Sequence, residues 1–174
     1  HGYEFLPAQS RIASLMLDQG RIAQMQEHLA NMRVDNPDRA DQLTMIEAQA
    51  FVDHGMQDEV FKLLDGALSA NTENVDLLYF RAMTGQKFER LDILERDLMQ
   101  IIELNPENAD ALNALGYTLT DQTDRHEEAL VLIERALAIK PDEAAFIDSL
   151  GWVNYRLNNF EEAVVHLRRA LTLF

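Results

Sequence analysis

The sequence predicts an all-α protein built as a stack of antiparallel helix pairs, and three observations carry that prediction. Apolar residues recur at helical spacing along nearly the whole chain. The C-terminal part repeats itself with a period of about 34 residues, the length of one helix–turn–helix unit. No stretch shows the strict apolar/polar alternation of a half-buried strand.

Taken in order, the units are expected near residues 6–40, 41–74, 75–108, 109–143 and 144–174. The first supplies Gly20, Leu29 and Pro37 in register. The second keeps Ala48, Gly55, Leu64 and Ala67, with Thr72 where later units carry proline. The third keeps Ala82, Leu98 and Pro106 but has Arg81 and Leu94 where later units place Leu and Ala. The last two match closely: Leu115-Gly116 with Leu150-Gly151, Glu127-Glu128-Ala129 with Glu161-Glu162-Ala163, and Arg135-Ala136-Leu137 with Arg169-Ala170-Leu171, with one extra residue in the turn around Thr123.

Each of these two units reads as two amphipathic helices. Leu112, Leu115, Gly116 and Leu119 share one face, and Ala129, Ile133, Ala136 and Leu137 share another. Pro106 and Pro141 follow apolar runs that they end, because proline lacks the N–H and its ring clashes with the preceding turn. Asp124 before Glu127 and Asn159 before Glu162 are spaced to cap the second helices. Gly116, Gly151, Ala129, Ala163, Ala136 and Ala170 are small residues on faces expected to be buried, where they let paired helices approach closely.

Composition narrows the function. The 174 residues are 47% hydrophobic, enough for a stacked core, and carry 15 basic against 30 acidic side chains, a formal charge of -15. That sign disfavours nucleic acid and anionic membranes as partners. The acids are dispersed, as expected of solvated helix faces. There is no cysteine, hence no disulfide, thiolate nucleophile or Cys-based metal site. No apolar run reaches the roughly 18 residues of a membrane span, and His1-Gly2-Tyr3-Glu4 is not a signal peptide.

Signs of catalysis are lacking. Histidines 1, 28, 54, 126 and 166 form no pair at metal-ligand spacing. The seven glycines build no phosphate loop or nucleophile elbow. Neighbouring carboxylates such as Glu127-Glu128 point in different directions on a helix. A non-catalytic protein without cofactor or metal is expected.

The spacing of Leu-Gly, a small residue twelve or thirteen positions on, then Ala and Pro, resembles the tetratricopeptide repeat, specifically in the last two units. Two departures stand out: no unit has Trp at the fourth position, and Asn154 sits where Tyr or Leu is usual. The resemblance implies a right-handed superhelical solenoid. The C-terminal stretch from Asn105 to Leu157 is also similar to large tetratricopeptide lipoproteins of Gram-negative envelopes, some of which are adaptors that bring substrates to a carboxy-terminal processing protease. A periplasmic or outer-membrane-anchored adaptor is what that similarity implies, with the anchor in segments outside this sequence.

In this family a stripe on each first helix lines a concave groove. Here the stripe carries Gln42, Met45, Gln49 and Val52, then Asp76, Tyr79, Met83 and Gln86, then Asp110, Asn113, Tyr117 and Thr120, then Ala145, Asp148, Trp152 and Tyr155. The candidate partner-binding residues are Tyr79, Met83, Asn113, Tyr117, Asp148, Trp152 and Tyr155, because aromatic and methionine side chains offer large or adaptable contact area. Of the residues with which one subclass grips a terminal carboxylate, only Asn113 matches; Lys87 and Arg156 lie at helix ends. The groove should therefore prefer apolar or basic polypeptide.

Two functions remain: an adaptor that binds a protein or peptide, and a structural segment that assembles through its repeat ends. The apolar end at Leu173-Phe174, with no polar helix after it, predicts a longer array or cover by another copy.

Overall fold

The structure, a computed structural model, describes residues 4–173; His1, Gly2, Tyr3 and Phe174, which include one of the five histidines and the last apolar residue of the C-terminal end, lie outside the described residues. The described residues hold ten α-helices and no strand. They are α1 (Phe5–Asp18), α2 (Ile22–Asp35), α3 (Ala40–Asp53), α4 (Gln57–Ala70), α5 (Val75–Lys87), α6 (Leu91–Leu104), α7 (Ala109–Gln122), α8 (His126–Ile139), α9 (Ala144–Arg156) and α10 (Phe160–Leu171), with a 3-10 turn at Pro37–Arg39. The all-α, paired-helix class expected from the periodicity is the one found.

The helices group into two compact units, one ending at Glu89 and one beginning at Arg90. In the first unit α1, α3 and α5 form a row, with α2 packed on α1 and α3, and α4 on α3 and α5. In the second unit α7 and α9 lie side by side, α6 packs on α7, α8 packs on both α7 and α9, and α10 packs on α9.

The core of each unit follows the helical pattern of apolar residues. Met25, Leu29, Leu43, Phe51 and Leu64 are fully buried in the first unit, and Leu94, Leu98, Leu112, Leu119, Ile133 and Ile147 in the second. Each such side chain contributes about 1.5–3 kcal/mol on leaving water. Leu150, which the sequence places on the packing face, is only half-buried; Ile147, one turn earlier, occupies the core.

Small residues set the distance between paired helices. A Cβ on Gly116 would lie 2.7 Å from Ile133 Cγ1 and 3.0 Å from the Ala129 carbonyl oxygen of α8. One on Gly151 would lie 2.6 Å from Leu167 Cγ and 3.2 Å from the Leu167 amide nitrogen of α10. Ala129, Ala136, Ala163 and Ala170 are all buried on the facing helices. α7–α8 and α9–α10 thus meet at close range, and a larger residue at either glycine would force the facing helix or its side chain to shift.

Turn chemistry also repeats. Gly20 (φ 70) and Gly55 (φ 67) take the left-handed conformation just past the first helices of their pairs, and Glu89 (φ 57) and Asn158 (φ 65) take it at the same place. The turn after α7 differs, because its extra residue lets Thr123 run extended and accept from the Arg125 amide. Arginines at one repeat position close each of the last two pairs: Arg135 donates to the Pro106 carbonyl at 3.2 Å, and Arg169 to that of Pro141 at 3.0 Å.

The capping expected of Asp124 and Asn159 is not found. Arg125 and Asn159 are the N-cap residues of α8 and α10, and neither helix receives a side-chain cap. Their ψ values of 46 and 64 fall short of the extended geometry that aims a cap at the N3 amide. Asn159 instead donates to the Asn154 side chain at 3.2 Å. Asn154 in turn donates to the Leu150 carbonyl at 2.9 Å, which satisfies this polar residue at a position where the repeat usually has Tyr or Leu. Side-chain caps appear on first helices: Asn74 and Asn108 accept from Leu77 and Ala111.

Several polar contacts cross between helices of the first unit, among them His28 with Gln9 at 2.6 Å and Arg81 with Asp65 at 2.7 Å. The buried Glu47 carboxylate meets Arg33 of α2 at 2.7 Å, a pair whose disruption by removing one partner costs about 3–5 kcal/mol. The His54 ring bridges the Ala50 carbonyl at 2.8 Å and Asp18 of α1 at 3.0 Å. The Asp18 bond, followed by the Ala50 bond, raises the His54 pKa above its usual value against a small opposing effect of burial.

Two predictions follow from this packing. Gly66 has nothing within 4 Å of a Cβ, so Gly66→Ala should gain about 0.5–1 kcal/mol in urea unfolding from helix propensity alone. Gly116→Ala and Gly151→Ala should lose about 1–3 kcal/mol despite the same propensity gain; equal behaviour of all three would show that the helix pairs are not in close contact. Because the folded pKa of His54 is raised, its contribution to stability is fully present below about pH 6.5 and is lost as pH rises through the folded value. Asp18→Asn should flatten that part of the stability–pH profile, measured by thermal melting across the range.

Candidate protein-binding face

Of the seven candidate residues, five lie in the second unit, on neighbouring helices α7 and α9: Asn113, Tyr117, Asp148, Trp152 and Tyr155. Tyr117 follows Leu115-Gly116 and Trp152 follows Leu150-Gly151, so the two rings hold equivalent repeat positions, as do Asn113 and Asp148 one turn earlier. Tyr79 and Met83 belong to α5 in the first unit, where both are half-buried. Met83 helps line a cavity of about 180 Å³ with Gln49, Val52, Phe80, Thr84 and Lys87. A larger cleft of about 750 Å³, walled by α2 and α4 and including Arg33, Lys62, Asp41 and Glu59, lies off the stripe.

Two stripe positions are packing residues. Thr120 is fully buried and donates to the Gly116 carbonyl at 2.8 Å, and Val52 is buried beside the small cavity.

On α9 the side chains build an aromatic run. The Trp152 and Tyr155 rings stack with centroids 5.3 Å apart and planes inclined by 13°. Tyr155 meets the edge of Phe160, the first residue of α10, at 5.7 Å. Tyr155 is 49% exposed, Phe160 54% and Tyr117 37%, whereas Trp152 is half-buried. The Arg156 guanidinium sits 5.9 Å from the Trp152 ring centre and donates to the Thr120 carbonyl at 2.7 Å, joining the C-terminal ends of α7 and α9.

Electrostatics on this face are acidic. Partial burial raises the pKa of the Tyr117 hydroxyl, and the carboxylates of Asp121 and Asp148 raise it further. Both carboxylates are exposed. Asp110, by contrast, is paired with Lys140 at 2.8 Å. The Trp152 Nε1–H and the Asn113 Oδ1 are buried without a hydrogen-bond partner among the described residues. An unmade bond of that kind costs about 1–3 kcal/mol.

Sequence reasoning missed Phe160 and Asp121 and gave Arg156 no role on this face. Arg156 follows Trp152 by one helical turn and Asp121 follows Tyr117 by one, so the i,i+4 rule was the available signal. Phe160 reaches Tyr155 only because the chain reverses at the left-handed Asn158, which no periodicity reveals.

The sequence profile of the tetratricopeptide repeat matches residues 98–131 and 144–174. Over these two stretches the chain carries tetratricopeptide repeats. It is 41% identical over 170 residues to the TPR repeat-containing protein PA4667 of Pseudomonas aeruginosa, an alignment that covers 98% of this chain and 29% of that protein. The chain thus spans less than a third of that relative's length. A crystal structure of MamA protein matches with a TM-score of 0.70 and 19% identity, covering 98% of this chain and 92% of that one. MamA 41-end from Desulfovibrio magneticus RS-1 matches with a TM-score of 0.69 and 17% identity, covering 97% and 94%. At such identity the MamA likeness concerns the fold alone.

Proposed function

We propose that this tetratricopeptide-repeat protein is an adaptor that binds a partner polypeptide on the first-helix faces of its units, with Trp152, Tyr155 and Tyr117 as the anchor of the second unit and Tyr79 and Met83 contributing in the first. The observation that carries the reading is the exposed aromatic run of α9 and α10 beside Tyr117. Rings packed on one another present a rigid apolar surface with little side-chain entropy left to lose, the usual make-up of an interface hot spot. The unpartnered Trp152 and Asn113 atoms support it, as buried polar atoms of α9 and α7 that have no hydrogen bond among the described residues. In the first unit, the cavity beside Met83 suits one apolar side chain of the same partner class. Substrate delivery to a processing protease, the role of the envelope adaptors that the C-terminal repeats resemble, is the use we assign to such binding.

One observation favours a second reading, assembly through helical ends. Val164, Val165 and Leu171 of α10 are exposed, alongside Leu173. If these residues pair between chains, the mass by light scattering rises between two protein concentrations and Val165→Glu returns it to that of a monomer. A constant monomer mass rejects this reading and leaves partner binding.

Trp152 is the chain's single tryptophan, so its emission reports directly on the anchor. Titration with a pool of extended peptides should shift that emission. Trp152→Ala should weaken binding by about 2 kcal/mol or more, roughly thirtyfold, measured by fluorescence polarisation of labelled peptide. It should destabilise less than Ile147→Ala, expected at about 2–5 kcal/mol because Ile147 is fully buried. Unchanged binding, or a melt as early as that of Ile147→Ala, would assign the indole to the core and remove the proposed anchor.

A further inference from the structure

The aromatic anchor has a chemical preference that its rings alone do not dictate. On α7 and α9 the acidic residues are Asp110, Asp121 and Asp148, and the one basic residue is Arg156. Lys140 neutralises Asp110. Arg156 gives its hydrogen bond to the Thr120 carbonyl and lies over Trp152, so its charge is tied to the helix end and the indole. Asp121 and Asp148 remain, both exposed, with no ion pair among the described residues.

These two carboxylates flank one ring. Asp121 lies one helical turn beyond Tyr117 on the same face of α7. Asp148 comes from α9, one turn before the residue that matches Tyr117 in the repeat. Burial is the main cause of the raised Tyr117 pKa, and both carboxylates act on the hydroxyl in the same direction. The Arg156 guanidinium reaches the Asp121 backbone carbonyl at 3.5 Å but pairs with neither carboxylate. An exposed aromatic face bordered by two carboxylates without an ion pair among the described residues fits a cation, drawn by the ring quadrupole and by the carboxylates together. Trp152 already has a guanidinium from within the chain 5.9 Å from its ring centre, so a cation near an aromatic ring is compatible with this surface. A planar guanidinium stacks on a ring while its edge donates to a carboxylate, which a lysine ammonium does less well.

We propose that the partner segment bound on this face carries an arginine, whose guanidinium lies over the Tyr117 ring with Asp121 and Asp148 as its counter-charges, while neighbouring apolar side chains of the segment cover Trp152, Tyr155 and Phe160. The inference rests on the reading that this face binds polypeptide, and it names the partner's chemistry: a basic segment with apolar flanks. Charge complementarity agrees, since the whole chain carries a formal charge of -15.

The test uses acetylated nine-residue peptides with a fixed leucine, glycine and serine background and arginine, lysine, citrulline or glutamate at the centre. Citrulline keeps the planar shape of arginine and removes the charge. The arginine peptide should bind about tenfold tighter than the citrulline peptide, with lysine between them and glutamate weakest. The double variant Asp121→Asn/Asp148→Asn should bring arginine and citrulline to within about twofold of each other. Tyr117→Leu should do the same, and Tyr117→Phe should keep the preference. The pair Asp58→Asn/Glu59→Gln, which removes the same charge from α4 in the other unit, should leave it intact. Thermal melts of each variant establish that the fold is retained. Equal binding of arginine and citrulline peptides, with Trp152→Ala still weakening both, overturns the arginine inference and keeps the binding face. A preference that survives Asp121→Asn/Asp148→Asn overturns it as well, because the charge then acts from elsewhere. No binding by any of the four peptides overturns both the inference and the reading beneath it.

Discussion

The close approach of paired helices at glycine governs this structure. At Gly116 and Gly151 the neighbouring helix comes so near that a single methyl group would strike the Ile133 or Leu167 side chain and press on backbone atoms. That proximity buries Ala129, Ala136, Ala163 and Ala170 on the facing helices and holds each first helix in a fixed rotation about its axis. Because Gly116 points at α8, Tyr117 cannot. Because Gly151 points at α10, Trp152 is directed away from the pair interface toward the face that also carries Tyr155. The orientation of the proposed binding residues is thus a consequence of the packing residues beside them.

The second unit joins this packing to an electrostatic pattern of two kinds. Ion pairs and charge-assisted bonds such as Lys140–Asp110, Arg169–Asp142 and Arg135 to the Pro106 carbonyl link neighbouring segments at the ends of helices, where exposed pairs add little energy but fix geometry. On the ring face, Asp121 and Asp148 carry no such partner among the described residues. Charges used for architecture are neutralised, and charges beside the rings are left open. That contrast, more than the acidity of the chain as a whole, gives the face its proposed selectivity.

Local chemistry in the turns explains where sequence expectations and structure part. Asp124 and Asn159 have the right spacing for caps, but the tight turns leave the N-cap backbone short of extended, so the side-chain oxygen is not aimed at the helix N-terminus. Leu150 satisfies the apolar periodicity yet is half-buried, whereas Leu115, at the same repeat position beside Gly116, is buried. Thr120 and Val52 fall on the stripe by spacing and are buried by their neighbours. Spacing identifies a helix face; it does not say how much of that face another element covers.

The sequence by itself determined the helical class, the repeat period, the proline stops after α6 and α8, and the small residues at the pair interfaces, because each depends on residues within one repeat. It also placed Tyr117, Trp152 and Tyr155 on first helices at matching repeat positions. Only the tertiary structure decided that Arg156 reaches the Thr120 carbonyl, that Phe160 meets Tyr155 across the turn at Asn158, and that Asp148 acts on Tyr117 from a different helix. The reason is physical: periodicity records the one-dimensional demand of a helix for an apolar face, whereas ring stacking, charge pairing and burial depend on distances between helices that the repeat pattern does not encode.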